Sequence, residues 1–133
     1  MSSLFNYKTL STRLEQATRT LVITLNDQEN FNHISMEMLF ELESVLSWST
    51  TKVEVHSILI DSSTSYFSHG IDLEHCRNLN RQTLEKFFDK LQKINLALFH
   101  LPQTVVIDLG DGAEGTASEL AIGADIRVCS VNT

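Results

Sequence analysis

The chain has 133 residues, 42% of them hydrophobic and 20% charged, and carries a formal net charge of −7 with a pI near 5.1. That length suits one domain with a real core. The acidic balance excludes a nucleic-acid backbone binder, which needs a basic face, and fits an anionic membrane surface poorly.

In chain order, Leu10 to Leu14 and Thr20 to Leu25 read as two strands joined through Glu15 to Thr18. Ser35 is an N-cap for a helix running to about Ser49, with Glu37 in the first turn where the helix dipole favours an anion. Leu39, Leu42, Val45 and Leu46 give that helix an apolar face. Val53-Glu-Val-His-Ser-Ile-Leu-Ile-Asp61 reads as a third strand, with His56 a packed or edge histidine within it. Leu84, Phe87, Phe88, Leu91, Ile94, Leu98 and Leu101 recur at threes and fours, which predicts a long helix whose stripe is core, ended by Pro102. Val105 to Leu109 is an apolar strand, Gly110, Gly112 and Gly115 break it, Thr116 to Ile122 has helix-forming composition, and Ile126-Arg-Val-Cys resumes an extended pattern. Strands alternating with helices predict an α/β fold with parallel pairing. No apolar run approaches the roughly 20 residues of a spanning helix. The opening residues lack the basic start and apolar stretch of a signal peptide. Cys76 and Cys129 are too few and too far apart for a metal site or a disulfide framework, so a reduced, cytoplasmic protein is expected.

The glycine-bearing entry into the helix at Thr116 points unpaired backbone N–H groups at whatever lies above it, the geometry that holds a developing oxyanion. Glu119, in the first turn of that helix, is a candidate acid or base, although the dipole alone favours a Glu there. Glycine loops between strands and helices are common, and alone this segment fits structure without chemistry better than it fits a site.

A second segment, Tyr66-Phe-Ser-His-Gly-Ile-Asp-Leu73, changes that balance, together with Ile23-Thr-Leu-Asn and Asn30-Phe-Asn-His-Ile-Ser-Met-Glu-Met-Leu39. In this order and spacing, with Glu119-Leu-Ala and Ala124-Asp-Ile-Arg, these segments resemble the crotonase (enoyl-CoA hydratase/isomerase) superfamily over about residues 19 to 130. The resemblance implies a crotonase-like spiral of repeated ββα units, cut short after the second oxyanion loop and its following strand. The expectation is therefore one crotonase-like domain over residues 1–133, the N-terminal portion of the family fold. It implies an acyl-CoA thioester as substrate, with coenzyme A as part of that substrate and no covalently bound cofactor. A homo-oligomer, trimer or hexamer, is implied for the complete protein.

Carried over residue by residue, the resemblance makes the backbone N–H groups of Ile71 and Thr116 the oxyanion donors and Glu119 the acid/base. It places Phe31, His33, Ser68, His69, Gly70, Asp72, Leu73 and Gly115 around the substrate and CoA. A hydratase of this family uses a second glutamate from beyond Thr133, whereas one carboxylate suffices for isomerase-like proton transfer. The chain departs from the family where Asp27-Gln-Glu-Asn30 replaces cations that help hold CoA phosphates, and where Gly115-Thr-Ala117 replaces three glycines. Gly110-Asp111 stands for the family's Asn-Gly, and His33 and His69 stand where the family has alanines. Asp108, Asp111 and Glu114 make the approach acidic, which disfavours an anionic cofactor. Two further readings stay open: a non-catalytic crotonase-like binding or assembly module with weakened CoA binding, and a Clp-type serine hydrolase with Ser118 as nucleophile.

Overall fold

The computed structural model describes residues 4–131. Five strands form one sheet in sequence order: β1 (Leu10–Glu15), β2 (Thr20–Leu25), β3 (Ser57–Ser62), β4 (Thr104–Asp108) and β5 (Ile126–Val128). β1 and β2 pair antiparallel through a tight turn in which Arg19 adopts a φ of 52°; every later pairing is parallel. Each parallel step needs a crossover. α1 (Met36–Ser49) links β2 to β3, α2 (Leu73–Arg77) and α3 (Arg81–His100) link β3 to β4, and α4 (Thr116–Ile122) links β4 to β5.

Register explains where the core sits. Leu21, Ile58 and Val105 stand side by side across three strands, and Ile23, Ile60 and Ile107 form the next row; all six are buried. Such rows point to one face of the sheet because side chains alternate along a strand. Leu25, Ile60 and Ile107 face Leu42 and Leu46 of α1, Ile94 and Leu98 of α3, Leu120 of α4 and Phe67. Burying side chains of this size contributes roughly 1.5–3 kcal/mol each before entropy is counted. The apolar faces expected for α1 and α3 therefore meet the sheet, and Lys90 on α3 pairs with Glu43 on α1 at the rim of their contact.

The helix boundaries follow from their caps. The Ser35 hydroxyl accepts from Met38 N–H at 3.1 Å, the contact expected of an N-cap. Asn80 does the same for α3 through Thr83 N–H at 2.8 Å, so the helix begins three residues before Leu84. Two expectations are corrected. β3 starts at Ser57, not Val53: Lys52 N–H donates to Ser49 O and Val55 N–H to Lys52 O, so the chain leaving α1 is still turning. Val53 is 89% exposed, and His56 stands outside the strand with its ring nitrogen 3.1 Å from Arg19 Nη1. Phe88 does not belong to the α3 core stripe; it follows buried Phe87 directly, and neighbours on a helix point about 100° apart, which leaves it 43% exposed. Among the described residues, no helix is long and apolar enough to cross a membrane.

Candidate active site

β3 and β4 are parallel neighbours, so the loops leaving their C-terminal ends emerge side by side. The chain after each strand is stitched to the other. Tyr66 bridges Gly110, Ser68 bridges Ala113, Phe67 N–H donates to Gly112 O at 2.9 Å, and Glu114 N–H donates to Ser68 O at 3.1 Å. Phe67, 1% exposed, roots the first loop in the core. The pair behaves as one small backbone platform rather than two free loops.

Gly70 shows why the platform needs a residue without a side chain. Its φ is +84°, and a Cβ there would lie 2.8 Å from Glu114 O, 3.0 Å from Thr116 Oγ1 and 3.1 Å from Thr116 N. The same contacts bring the Gly70–Ile71 peptide against the start of α4. Gly70 N–H donates to Ser68 Oγ at 3.0 Å, and Ser68 Oγ in turn donates to Asn32 O at 2.7 Å. Gly70 O accepts from Ile34 N–H at 2.9 Å and from His33 Nδ1 at 3.0 Å. A carbonyl can only accept, so His33 Nδ1 carries the proton.

The two expected backbone donors are thus close together but not equivalent. Ile71 N–H already donates to Thr116 Oγ1 at 3.0 Å. Thr116 N–H, at the first position of α4, makes no hydrogen bond among the described residues. Gly115 before it is the N-cap, with a φ of 55° and no side chain to cap with. Glu119 is exposed on α4, three residues after Thr116 and so on the same side of the helix. Its carboxylate has no partner among the described residues, while Ala117 and Leu120 beside it are buried.

The His69 side chain is engaged with Tyr66 and Glu114. Its ring stacks on Tyr66 with centroids 4.3 Å apart, and its Nδ1 lies 3.1 Å from Glu114 Oε2. The hydrogen bond from His69, then that from Tyr66, hold the Glu114 carboxyl below the usual range. The Tyr66 hydroxyl is pushed up, first by desolvation and then by the charge of Glu114. Asp72 caps α2, accepting from Glu74 N–H at 3.0 Å and His75 N–H at 3.2 Å. Phe31 is 73% exposed and Leu73 69% exposed. Sequence reading passed over Asn32. It is 1% exposed at a φ of 53°, accepts from Asp27 N–H at 2.6 Å and donates to Ser62 Oγ at 2.8 Å. It ties the loop after β2 to the end of β3, and an Asn is among the few side chains that tolerate this backbone. Its signal was the Asn in Asn30-Phe-Asn-His, the type favoured where the chain turns left-handed.

A cleft of about 300 Å³ opens beside the platform, lined by Asp27, Asn30, His33, Ser35, Glu37, Asp72, His75, Cys76 and Phe87 among others. Ile71, Thr116 and Glu119 are not in its walls. The cleft is acidic, and Asn30 there donates to Asp27 at 3.0 Å instead of presenting a cation. Burial and then the charge of Asp72 push the Cys76 thiol up. Ser118 Oγ donates to Ala113 O at 3.0 Å, and no histidine is hydrogen-bonded to it, so the arrangement a serine nucleophile needs is missing among the described residues. No group of three or more His, Cys, Asp or Glu side chains among the described residues is arranged to hold a metal. Asp125 and Arg127 of the Ala-Asp-Ile-Arg segment are structural. Asp125 Oδ2 accepts from Val105 N–H at 2.8 Å, and Arg127 Nη1 donates to Ala124 O at 2.8 Å and Ala121 O at 3.2 Å, closing the end of α4.

This mixed sheet with two glycine-bearing loops over its parallel strands has the crotonase fold, as its match to solved structures shows. An enoyl-CoA hydratase structure from Bacillus anthracis superposes with a TM-score of 0.85 at 21% identity, covering 92% of this chain and 47% of that one. One from Thermoplasma volcanium gives 0.82 at 24% identity, over 91% and 48%. These are likenesses of fold. The Enoyl-CoA hydratase/isomerase family profile matches residues 15–133, and the chain belongs to that family. Among curated relatives, a trans-2-decenoyl-[acyl-carrier-protein] isomerase of Streptococcus mutans is 27% identical over 84% of this chain and 44% of its own length. A probable enoyl-CoA hydratase of Mycobacterium bovis is 30% identical over 81% and 40%. The chain thus spans less than half the length of these relatives.

Proposed function

We propose that the platform binds the carbonyl of an acyl-CoA thioester and that the protein takes part in hydratase- or isomerase-type chemistry. The observation that carries this is the packing of the Gly70–Ile71 peptide against Thr116 N, with the Thr116 N–H unpartnered. Two N–H donors aimed at one oxygen stabilise the anion that forms when a proton leaves the carbon next to the carbonyl. Glu119 takes that proton, and the C–H electron pair passes into the enolate, whose oxygen the donors hold. Returning the proton two carbons away moves the double bond, which is isomerisation. Adding water needs a second acid/base as well, the role the family gives to a glutamate outside residues 1–133. The substrate brings coenzyme A with it, and no other cofactor enters these steps.

A second reading, a family member that binds or assembles without catalysis, is favoured by the acidic lining of the cleft (Asp27, Glu37 and Asp72) and by the occupied Ile71 N–H. Calorimetric titration of the chain with acetyl-CoA and with free CoA separates the two. The thioester reading expects acetyl-CoA to bind more tightly than CoA. No heat with either ligand removes it and leaves the non-catalytic module.

A further inference from the structure

The Gly70–Ile71 peptide is held by its carbonyl, which accepts from Ile34 N–H and from His33 Nδ1, and the preceding His69–Gly70 peptide is tied through Gly70 N–H to Ser68 Oγ. The N–H of Ile71 therefore cannot turn toward or away from a ligand. It points at Thr116 Oγ1, 3.0 Å away. A ligand oxygen bonded to this N–H must come within about 3 Å of the nitrogen, which is the place the Thr116 hydroxyl already holds. The member free to yield is the Thr116 side chain, because a single torsion about χ1 carries Oγ1 off the donor.

We propose that the Thr116 hydroxyl is a resident competitor for the Ile71 N–H, so that a thioester carbonyl binds only by displacing it. The inference rests on the thioester reading above and adds a residue that sets affinity at the same site. Two donors on Gly70 O polarise the peptide and strengthen its N–H as a donor, so the hold on Thr116 is firm until a better acceptor arrives. The acceptor in question improves during the reaction, since an enolate oxygen carries more charge than a thioester carbonyl. Displacement is accordingly easier for the anion than for the ground state.

The test is calorimetry of acetyl-CoA and of free CoA against the chain, Thr116→Ala and Thr116→Ser. Removing a neutral intramolecular hydrogen bond of ordinary worth should tighten acetyl-CoA about 2- to 12-fold in Thr116→Ala. Thr116→Ser keeps the hydroxyl and should match the parent, and free CoA, which has no carbonyl at this point, should be indifferent to the change. Acetyl-CoA binding that is unchanged or weaker in Thr116→Ala overturns the inference while leaving the thioester reading intact. Tightening that free CoA shares equally also overturns it. Absence of binding by the parent and both variants removes the thioester reading and the inference with it. The unsubstituted chain gives an independent check: three-bond couplings of Thr116 should report a change of χ1 on saturation with acetyl-CoA, and an unchanged χ1 contradicts displacement.

Discussion

At the scale of single residues, the platform depends on Gly70 and the proposed chemistry on Glu119. Any L side chain at Gly70 meets both a left-handed φ of +84° and a backbone oxygen 2.8 Å from its Cβ. The conformation alone costs about 1–2 kcal/mol, and Glu114 O belongs to a stitched loop that cannot simply swing away. Gly70→Ala should therefore lower stability by at least that amount in urea unfolding; an unchanged midpoint would mean the platform yields to a side chain at little cost. Glu119 makes a different prediction because it is exposed and unpartnered, so its loss should leave the fold alone. In the complete protein, Glu119→Gln should keep thioester binding nearly intact and lower proton transfer by ~10²–10⁴-fold, the usual worth of a general acid/base. A loss under about threefold, far below that range, would assign Glu119 a structural or solvated role.

Much at this scale was legible and some was not. Ser35 as a cap, Pro102 as a stop and Glu119 beside the glycine loop all express local chemistry, which spacing carries. The hydrogen bond from Ile71 N–H to Thr116 Oγ1 joins residues 45 apart in sequence. The departure Gly115-Thr-Ala117 announced a side chain near the donors, but not that its oxygen would bond one of them. Asn32 was missed in part for the same reason, since besides nearby Asp27 its partners are Ser62 at the end of β3 and Ser68 in the loop beyond.

At the scale of elements, the sheet rows and helix stripes agree with the hydrophobic pattern because burial of one face is what the pattern encodes. The start of β3 was misjudged because Val53 and Val55 have strand propensity, yet α1 must first turn back to reach the sheet. Propensity is a weak prior against that geometric demand. One tie between elements was invisible in sequence. Glu41, 8% exposed on α1, accepts from Lys8 N–H at 2.9 Å, Thr9 N–H at 2.9 Å and Thr9 Oγ1 at 2.8 Å, clamping the approach to β1. Glu41→Ala removes the acceptor and strands Thr9, which is 3% exposed. Each buried donor left unpaired costs ~1–3 kcal/mol. Chemical denaturation should show a loss in that range, with faster amide exchange at Lys8 and Thr9. A loss below ~0.5 kcal/mol, half the lower bound of that range, would show that water replaces the carboxylate freely.

At the scale of the whole molecule, several large apolar side chains stay open to solvent. Leu96 and Phe99 on α3, Ile122 on α4, and Ile126 and Val128 on β5 are 47–73% exposed. Among the described residues β5 pairs with β4 alone, which leaves its other edge without a strand partner there. Apolar surface of this kind and an uncovered edge strand both seek partners. Residues 1–133 on their own are expected to self-associate with rising concentration, as light scattering would register. A monomer of constant mass with a cooperative melt would show that this surface is tolerated in water.

Reception of a thioester carbonyl at the platform between Gly70 and Thr116 can be read from amide NMR. Spectra of the ¹⁵N-labelled chain are compared at saturation with acetyl-CoA and with free CoA, so that only the acyl group differs. The Ile71 and Thr116 amide protons should move between the two complexes, while amides on β1 and the distal end of α3 should not. Identical Ile71 and Thr116 shifts in both complexes would place the carbonyl elsewhere and rule out its reception at the platform.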